Sequence, residues 1–326
     1  MSWVRFGTGA TLAAIGGLAA RYVRQRDRLE RSWLDSIDRK LSSIGEIEHL
    51  SILPLVERLT PDDTLIGEPG VSYLIQADET RLLFDVGFNR AAGQSTLTRN
   101  ADTLGADLRS LDGVVISHSH PDHVGGMTYV LRRTFHLSPD RREPSGLPAY
   151  VPVQMRHERA DVLLTTEPRV VARGVAVLPP IPRVLFWGGP VFEQSMVVNV
   201  RGFGLVLVSG CGHPSIERML AATERVLDIP IKAVVGGLHL PVHPREATAI
   251  VQSVLGSPYW PSKIIGEQDA RDAIDALRER GPSVVALSGH DSTPWTFEAM
   301  AQAFGDGYRT LRVGEELTIA GAATRP

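Results

Sequence analysis

Hydrophobic positions along the chain fall into short blocks separated by turn residues, and most blocks have strand length. Nearly continuous apolar runs cover residues 50–56, 71–76, 82–84, 114–116, 204–210, 231–235 and 284–287. Runs of that length bounded by Gly, Pro, Asp or Ser read as strands, several of them buried. Helical periodicity takes over at 216–227 after Ser215, and at 269–280, which Gly281-Pro282 stops. Thr293-Pro294 starts a last helix, with threonine as cap and proline in the first turn. Residues 90–105, preceded by a loop, and 127–135 also read as helical. Residues 60–69 and 136–152 read as loops, and Leu178-Pro179-Pro180-Ile181-Pro182 as a rigid connector or edge strand. Periodicity alone yields a mixed α and β protein.

The amino-terminal pattern is different. Residues 6–20 carry no charge and are rich in Gly and Ala. They fall short of the roughly 20 residues that span a bilayer, but residues 3–23 reach that length if Arg5 and Arg21 snorkel. Arg21, Arg24, Arg26 and Arg28 follow, an asymmetry that keeps a downstream domain on the cytoplasmic side. Residues 1–23 are therefore read as a membrane anchor, giving a location on the cytoplasmic side of a membrane, or else in the cytoplasm. A cleaved signal ending at Gly17-Leu18-Ala19 and a packed terminus are the competing readings. Leu29, Trp33, Ile37 and Leu41 recur every four residues, so residues 24–46 read as an amphipathic helix packed on the body of the protein. The main domain then covers residues 47–326.

Composition narrows the class. The 326 residues are 43% hydrophobic and 22% charged, an ordinary globular balance. A net charge of -3 offers no concentrated basic face for nucleic acid. The single cysteine, Cys211, excludes an intrachain disulfide framework and a cysteine-rich zinc module.

The chemistry is concentrated in His118-Ser119-His120-Pro121-Asp122-His123, which follows the apolar run at 114–116. Imidazole and carboxylate suit zinc, iron or manganese. Packed inside a strand, such a cluster would leave polar groups unpaired, whereas a turn at a strand exit can aim them at one point. The spacing H-x-H-x-D-H resembles the signature of the metallo-β-lactamase superfamily, with every position filled. That resemblance implies a four-layer α/β/β/α sandwich, here with an added N-terminal helix, and a two-metal site at one edge of the paired sheets.

Other stretches agree with it. Asp85-Val86-Gly87 resembles the superfamily's D-x-G element, whose carboxylate orients a ligating histidine or the ligand loop; a turn or cap is the simpler alternative. Gly67-Glu68-Pro69-Gly70, Asn100-Ala101 and Leu104-Gly105-Ala106-Asp107 resemble the branch related to ribofuranosylaminobenzene 5′-phosphate synthase. So do Cys211-Gly212-His213-Pro214 and Gly236-Gly237-Leu238-His239-Leu240. The resemblance implies that His213 joins His118 and His120 in one metal position. It implies that His290, in Ser288-Gly289-His290-Asp291-Ser292, joins Asp122 and His123 in the other. The branch's usual His-Cys-Thr-Gly is replaced here by His290-Asp291-Ser292-Thr293. Where the wider superfamily carries a bridging aspartate, this chain has His239, and a neutral imidazole cannot bridge two metals. His239 is read as a ligand to one metal, a proton-transfer group or an orienting residue. Cys211 is read as packing or orienting a ligand rather than as a ligand or nucleophile. Arg132, Arg133, Arg141 and Arg142 are taken as solvated, His136 and His157 as surface residues, and His243 as outside the site.

The expected cofactors are two divalent cations, zinc first, with manganese or iron accepted by the same donors. The expected reaction is hydrolysis of an ester, phosphoester or lactone of a small-molecule substrate by a metal-bound hydroxide. Asp122 and His239 are the catalytic side chains, Asp122 orienting the nucleophile and His239 protonating the leaving group. No G-x-S-x-G elbow is present, which disfavours a serine hydrolase. The alternatives are a synthase-like transferase joining a pterin or aminobenzoate to a ribose phosphate, and a non-catalytic metal-binding or ligand-sensing protein.

Overall fold

The computed structural model describes residues 3–37, 40–89, 95–138, 142–260 and 263–321. Sixteen strands are described, in chain order. They are β1 (His49–Val56), β2 (Ser72–Ala77), β3 (Thr80–Phe84), β4 (Gly113–Val115), β5 (Leu147–Val151), β6 (Ala160–Leu164), β7 (Arg169–Ala172), β8 (Val175–Val177), β9 (Ile181–Leu185), β10 (Gly189–Glu193), β11 (Met196–Val200), β12 (Gly204–Ser209), β13 (Ile231–Gly236), β14 (Val284–Leu287), β15 (Tyr308–Thr310) and β16 (Leu317–Ala320). The helices are α1 (Trp3–Ser36), α2 (Thr96–Leu104), α3 (Pro121–Val124), α4 (Met127–Arg132), α5 (Ile216–Val226), α6 (Ala247–Leu255), α7 (Glu267–Arg280) and α8 (Pro294–Phe304).

The strands build two seven-stranded sheets, ordered β16-β1-β2-β3-β4-β5-β6 and β15-β14-β13-β12-β11-β8-β7, and a separate β9-β10 hairpin. Each large sheet is half antiparallel and half parallel. The parallel halves are β3-β4-β5-β6 in the first sheet and β12-β13-β14-β15 in the second. Between the sheets, Ile52, Tyr73, Ile75 and Phe84 pack against Val198, Val206, Val208 and Val235. Alternation along β12 sends Val206 and Val208 to that interior and Leu205 and Leu207 to the helices outside. Burial on both faces explains why these strands read as unbroken apolar runs. The second sheet's outer face is covered by α5, α7 and α8 through Met219, Leu220, Ile274, Leu277 and Met300. The first sheet's outer face is covered by Leu97 and Ala101 of α2 and by Val124. Helices outside two stacked sheets are the four layers expected.

Several elements depart from the reading of the sequence. The region 136–152 contains β5. The Pro-rich run, by contrast, enters β9 of the two-stranded hairpin, in keeping with its reading as an edge strand. Helix α6 and the strands β6–β8, β10, β11, β15 and β16 carry no pattern strong enough to announce them. Helix α2 begins at Thr96 with Ser95 accepting from the Thr98 N–H, while residues 90–94 of the expected helix lie outside the described residues. Ser215 caps nothing with its side chain, because its φ of 81° turns the backbone away from an ordinary cap. The Thr293 hydroxyl also fails to cap its helix; it donates to the Val242 carbonyl instead.

The amino terminus is corrected most. Helix α1 runs unbroken from Trp3 to Ser36, where two segments were expected, and Ile37 and Leu41 lie beyond its end. Among the described residues no helix is long and apolar enough to cross a membrane, so the anchor expected over residues 1–23 finds no support. A Gly- and Ala-rich segment running straight into four arginines is too weakly apolar. The apolar stripe does pack on the domain: Trp33 and Ile37 are buried against the second sheet's helix layer. The Glu30 carboxylate accepts from Val184 N at 3.0 Å and pairs with Arg183 at 3.2 Å and Arg218 at 3.6 Å, tying α1 to the hairpin and to α5.

Candidate metal centre

Parallel pairing places the carboxyl ends of neighbouring strands at one edge, and the chemistry-bearing residues all leave those ends. Asp85 follows β3, the 118–123 loop follows β4, Cys211 and His213 follow β12, His239 follows β13, and His290 follows β14. Open α/β sheets bind ligands at such edges. Two non-glycine residues there adopt left-handed backbone, Asp85 at φ 59° and His239 at φ 51°. Strain of this kind persists where the surroundings fix a functional side chain.

In the first half, one carboxylate organises the loop. Asp85 Oδ1 accepts from Ser117 N at 2.6 Å, and Oδ2 accepts from Ser117 Oγ at 2.6 Å and from His123 Nδ1 at 2.7 Å. Because the Ser117 hydroxyl proton is committed to Asp85, its oxygen accepts from His118 Nδ1 at 2.9 Å. Both His118 and His123 thereby turn Nε2 inward, the carboxylate–imidazole arrangement typical of metal ligands. Gly210, opposite, must be glycine: a Cβ there would lie 2.2 Å from Ser117 Oγ. Gln194, in the connection between β10 and β11, fastens this strand exit, donating through Nε2 to the Ile116 and Tyr150 carbonyls at 2.8 and 2.9 Å. The Gly67-Glu68-Pro69-Gly70 stretch buttresses the same region. Glu68 Oε1 accepts from Phe88 N and Asn89 N at 2.8 Å each.

In the second half, each histidine has its own support. Glu193 accepts from the backbone N–H groups of Cys211, Gly212 and His213 at 3.0, 2.7 and 2.9 Å. Asp291 Oδ2 accepts from His239 N at 2.8 Å. Ser288 donates its hydroxyl to Glu57, so its oxygen accepts from His290 Nδ1 at 2.5 Å and leaves His290 Nε2 facing inward.

The two halves meet. His213 Nε2 lies 3.0 Å from His120 Nδ1, and the His118 and His213 rings are 5.1 Å apart, centroid to centroid. His123 and His290 rings are 5.2 Å apart, and Asp122 Oδ2 is 3.7 Å from His123 Nε2. Asp122, His123, Cys211 and His290 offer donor atoms within 4.8 Å of one another, as do His118, Cys211 and His213, and also Cys211, His239 and Asp291. These residues fit a metal. Donors around a tetrahedral zinc with bonds of about 2.0–2.1 Å sit about 3.3 Å apart, close to the spacings seen here. His118 Nε2, His213 Nδ1 and both ring nitrogens of His239 are buried without a hydrogen-bond partner, a costly state that a ligand relieves for those facing it.

Electrostatics agree. Burial opposes charge on His123, but the Asp85 and Asp122 carboxylates outweigh it and raise its pKa to about 9, so positive charge is favoured at that point. Burial holds His118, His213 and His290 well below the usual imidazole range and His239 at about 4, so these rings are neutral and keep lone pairs. Burial pushes Glu57 and Glu193 up to about 7 against the donors that surround them.

All six expected ligands, with His239, Asp85 and Cys211, are thus brought to one place. Cys211, expected to pack or to orient a ligand, places its sulfur 3.1 Å from both His123 Nε2 and His290 Nε2. His243 is exposed and pairs with Glu267 at 2.9 Å, outside the centre. His136 and His157 are half-buried rather than at the surface, and line a separate cavity of about 830 Å³ with Arg132, Arg156 and Arg159. Arg142 pairs with Asp102, and Arg141 lies outside the described residues. Sequence reasoning missed Glu57, Ser117, Glu193, Gln194 and Ser288, and treated Asp291 only as a departure from a pattern. A cavity of about 230 Å³, lined by His213, His239, Arg183 and Tyr259, opens beside the donors.

A histidine- and carboxylate-lined centre at the strand ends of a four-layer sandwich defines a class of metal-binding proteins. A family model described as the metallo-beta-lactamase superfamily matches residues 65–290, and the chain belongs to that superfamily. It is 24% identical over 237 residues to 7,8-dihydropterin-6-methyl-4-(beta-D-ribofuranosyl)-aminobenzene-5'-phosphate synthase of Methanocaldococcus jannaschii, covering 61% of this chain and 81% of that protein. An uncharacterized protein of the same organism is 25% identical over 200 residues, covering 53% and 73%. Among solved structures, Tm1679, described as a metal-dependent hydrolase of the beta-lactamase superfamily, matches with a TM-score of 0.58 at 20% identity, covering 83% of this chain and 99% of that one. The metallo-beta-lactamase fold protein YhfI from Bacillus subtilis matches with a TM-score of 0.53 at 13% identity, covering 82% and 99%.

Proposed function

We propose that the protein is a metallohydrolase that holds two divalent cations and cleaves an ester, phosphoester or lactone in a small molecule. The observation that carries this reading is the convergence of donors from both halves of the chain, with buried nitrogens left unpartnered at the centre. His118, His120 and His213 would hold one cation, and Asp122, His123 and His290 the other. When bound, such cations lower the pKa of water, polarise the scissile bond and stabilise the developing oxyanion.

The remaining work falls to the chain's own side chains. Asp122 is only partly buried, and its carboxylate can ligate and accept a proton from an attacking water. Burial holds the His239 pKa at about 4, so its ring is neutral and offers one N–H, which can serve a leaving-group oxygen, and one lone pair. Gly256 lets that ring lie against the backbone; a Cβ there would come within 2.2 Å of His239 Nε2. Arg183 and Tyr259 in the adjoining cavity supply polar contacts to a substrate's remote end.

The archaeal synthase supports a second reading, a transferase acting on a ribose phosphate. Elemental analysis beside a panel of aryl ester, lactone and phosphodiester substrates separates the two. Metal-dependent hydrolysis without added sugar phosphate is expected. Two bound metals with no turnover on any member of the panel would defeat the hydrolase reading.

A further inference from the structure

Helix α6 shows water the wrong face. A surface helix ordinarily buries its apolar stripe and exposes its polar one. Here Ile250, Val251, Val254 and Leu255 share one face and are exposed, Val251 by 53% and Leu255 by 51%. The opposite face carries Ala249, Ser253 and Gly256, all buried. Turning the helix over would not correct this, because the space beneath it admits only small residues. A Cβ on Gly256 would already lie 2.2 Å from His239 Nε2.

The exposed face continues beyond the helix. Phe186 N donates to the Ser257 carbonyl at 3.0 Å, which seats the tip of the β9-β10 hairpin beside the end of α6. The Phe186 ring neighbours Trp187 and Trp260, at 4.9 and 5.1 Å centroid to centroid, and both indoles are exposed, by 51% and 43%. Tyr22 of α1 packs on Phe186 at 5.2 Å and donates its hydroxyl to the Pro258 carbonyl. Charge surrounds this face unevenly. Residues 184–192 and 247–260 carry no charged side chain, and Glu246 just ahead of α6 is paired with Arg58. On α1, Arg21, Arg24, Arg26 and Arg28 are exposed, and Asp27 is the one acid among residues 1–29 of the sequence.

We infer that this face docks the protein on an anionic lipid surface, with α6 and the two indoles at the acyl boundary and the α1 arginines at the headgroups. No segment has to cross the bilayer. Docking at the interface needs an apolar face with basic residues beside it, and indoles favour that depth. The charge-free run at residues 6–20 of α1 leads into the same arginines. A second copy of the chain fits less well, because a two-fold pairing of like faces sets one arginine cluster against another. The inference is independent of the metal centre.

The test is sedimentation of the full chain with vesicles of phosphatidylcholine alone, or of phosphatidylcholine mixed with phosphatidylglycerol. We expect binding to the mixed vesicles that weakens as salt is raised, and little binding to phosphatidylcholine alone. Val251→Asp combined with Leu255→Asp should weaken binding by at least about tenfold with an unchanged circular dichroism spectrum. Vesicles with brominated acyl chains should quench the tryptophan emission of the native protein, and quench it less in Trp187→Phe and Trp260→Phe. That reading stands even if the aspartate variant misfolds. Native protein left in the supernatant with both kinds of vesicle would overturn the inference, as would binding that the aspartates do not weaken. A lipid-free dimer that the same aspartates split would assign the face to a second copy and overturn it as well.

Discussion

The two halves of the metal centre are built differently. The first sheet delivers four donors in six residues, from one turn that one carboxylate, Asp85, holds through Ser117 and His123. The second sheet delivers one donor region per strand exit, each propped by a separate buried acid: Glu193 beneath Cys211 and His213, Asp291 beneath His239, Glu57 behind Ser288 and His290. A local turn concentrates both the ligands and their support. Separate strands spread them, so each support acts on one ligand region alone.

Removing a ligand tests that contrast most severely. His120→Ala should abolish metal-dependent turnover while circular dichroism stays native-like, since His120 is only partly buried. Full activity in that variant would refute its assignment. Next come the supports. Asp85→Asn should weaken both cations, because Asp85 orients His123 directly and His118 through Ser117; a loss of about 10–100-fold in affinity is expected. Glu57→Gln should cost a similar or smaller factor but loosen only the cation held by His290. Equal effects of the two variants on both sites, measured by competition with a chelator, would erase the proposed asymmetry. Gly256→Ala should leave two metals bound, lower turnover by displacing His239, and cost about 1–3 kcal/mol of stability through overpacking. Unchanged turnover there would remove His239 from the reaction. The smallest effect at the site is expected from Glu30→Ala. It should lower the melting temperature by freeing α1 from Arg183 and Arg218, with metal content unaltered.

The same contrast explains what could be read from residues alone. The 118–123 loop was legible because its ligands are contiguous, and contiguity makes a pattern. His213 and His290 were legible because each follows an apolar strand at a familiar kind of junction. Glu57, Glu193 and Ser288 were not, since a buried acid at a strand end has no local signature until the partner strand is placed beside it. The surroundings of Cys211 were not legible for a related reason: its position two residues before His213 says nothing about which nitrogens lie near its sulfur, those of His123 and His290 at 3.1 Å. The central strands announced themselves through burial on both faces. Strands β6–β8 and β10 are short and mixed in composition, and they pair with strands close by in sequence, so no long apolar run marks them out. Helix α1 was misread because an uncharged stretch resembles an anchor by length, while its Gly and Ala content makes it only weakly apolar.

The most direct test of the centre is anomalous diffraction from a crystal of the zinc-loaded protein. Two peaks are expected about 3.5–4 Å apart, one bounded by His118, His120 and His213, the other by Asp122, His123 and His290. No peak among these side chains at full zinc occupancy elsewhere would contradict the account.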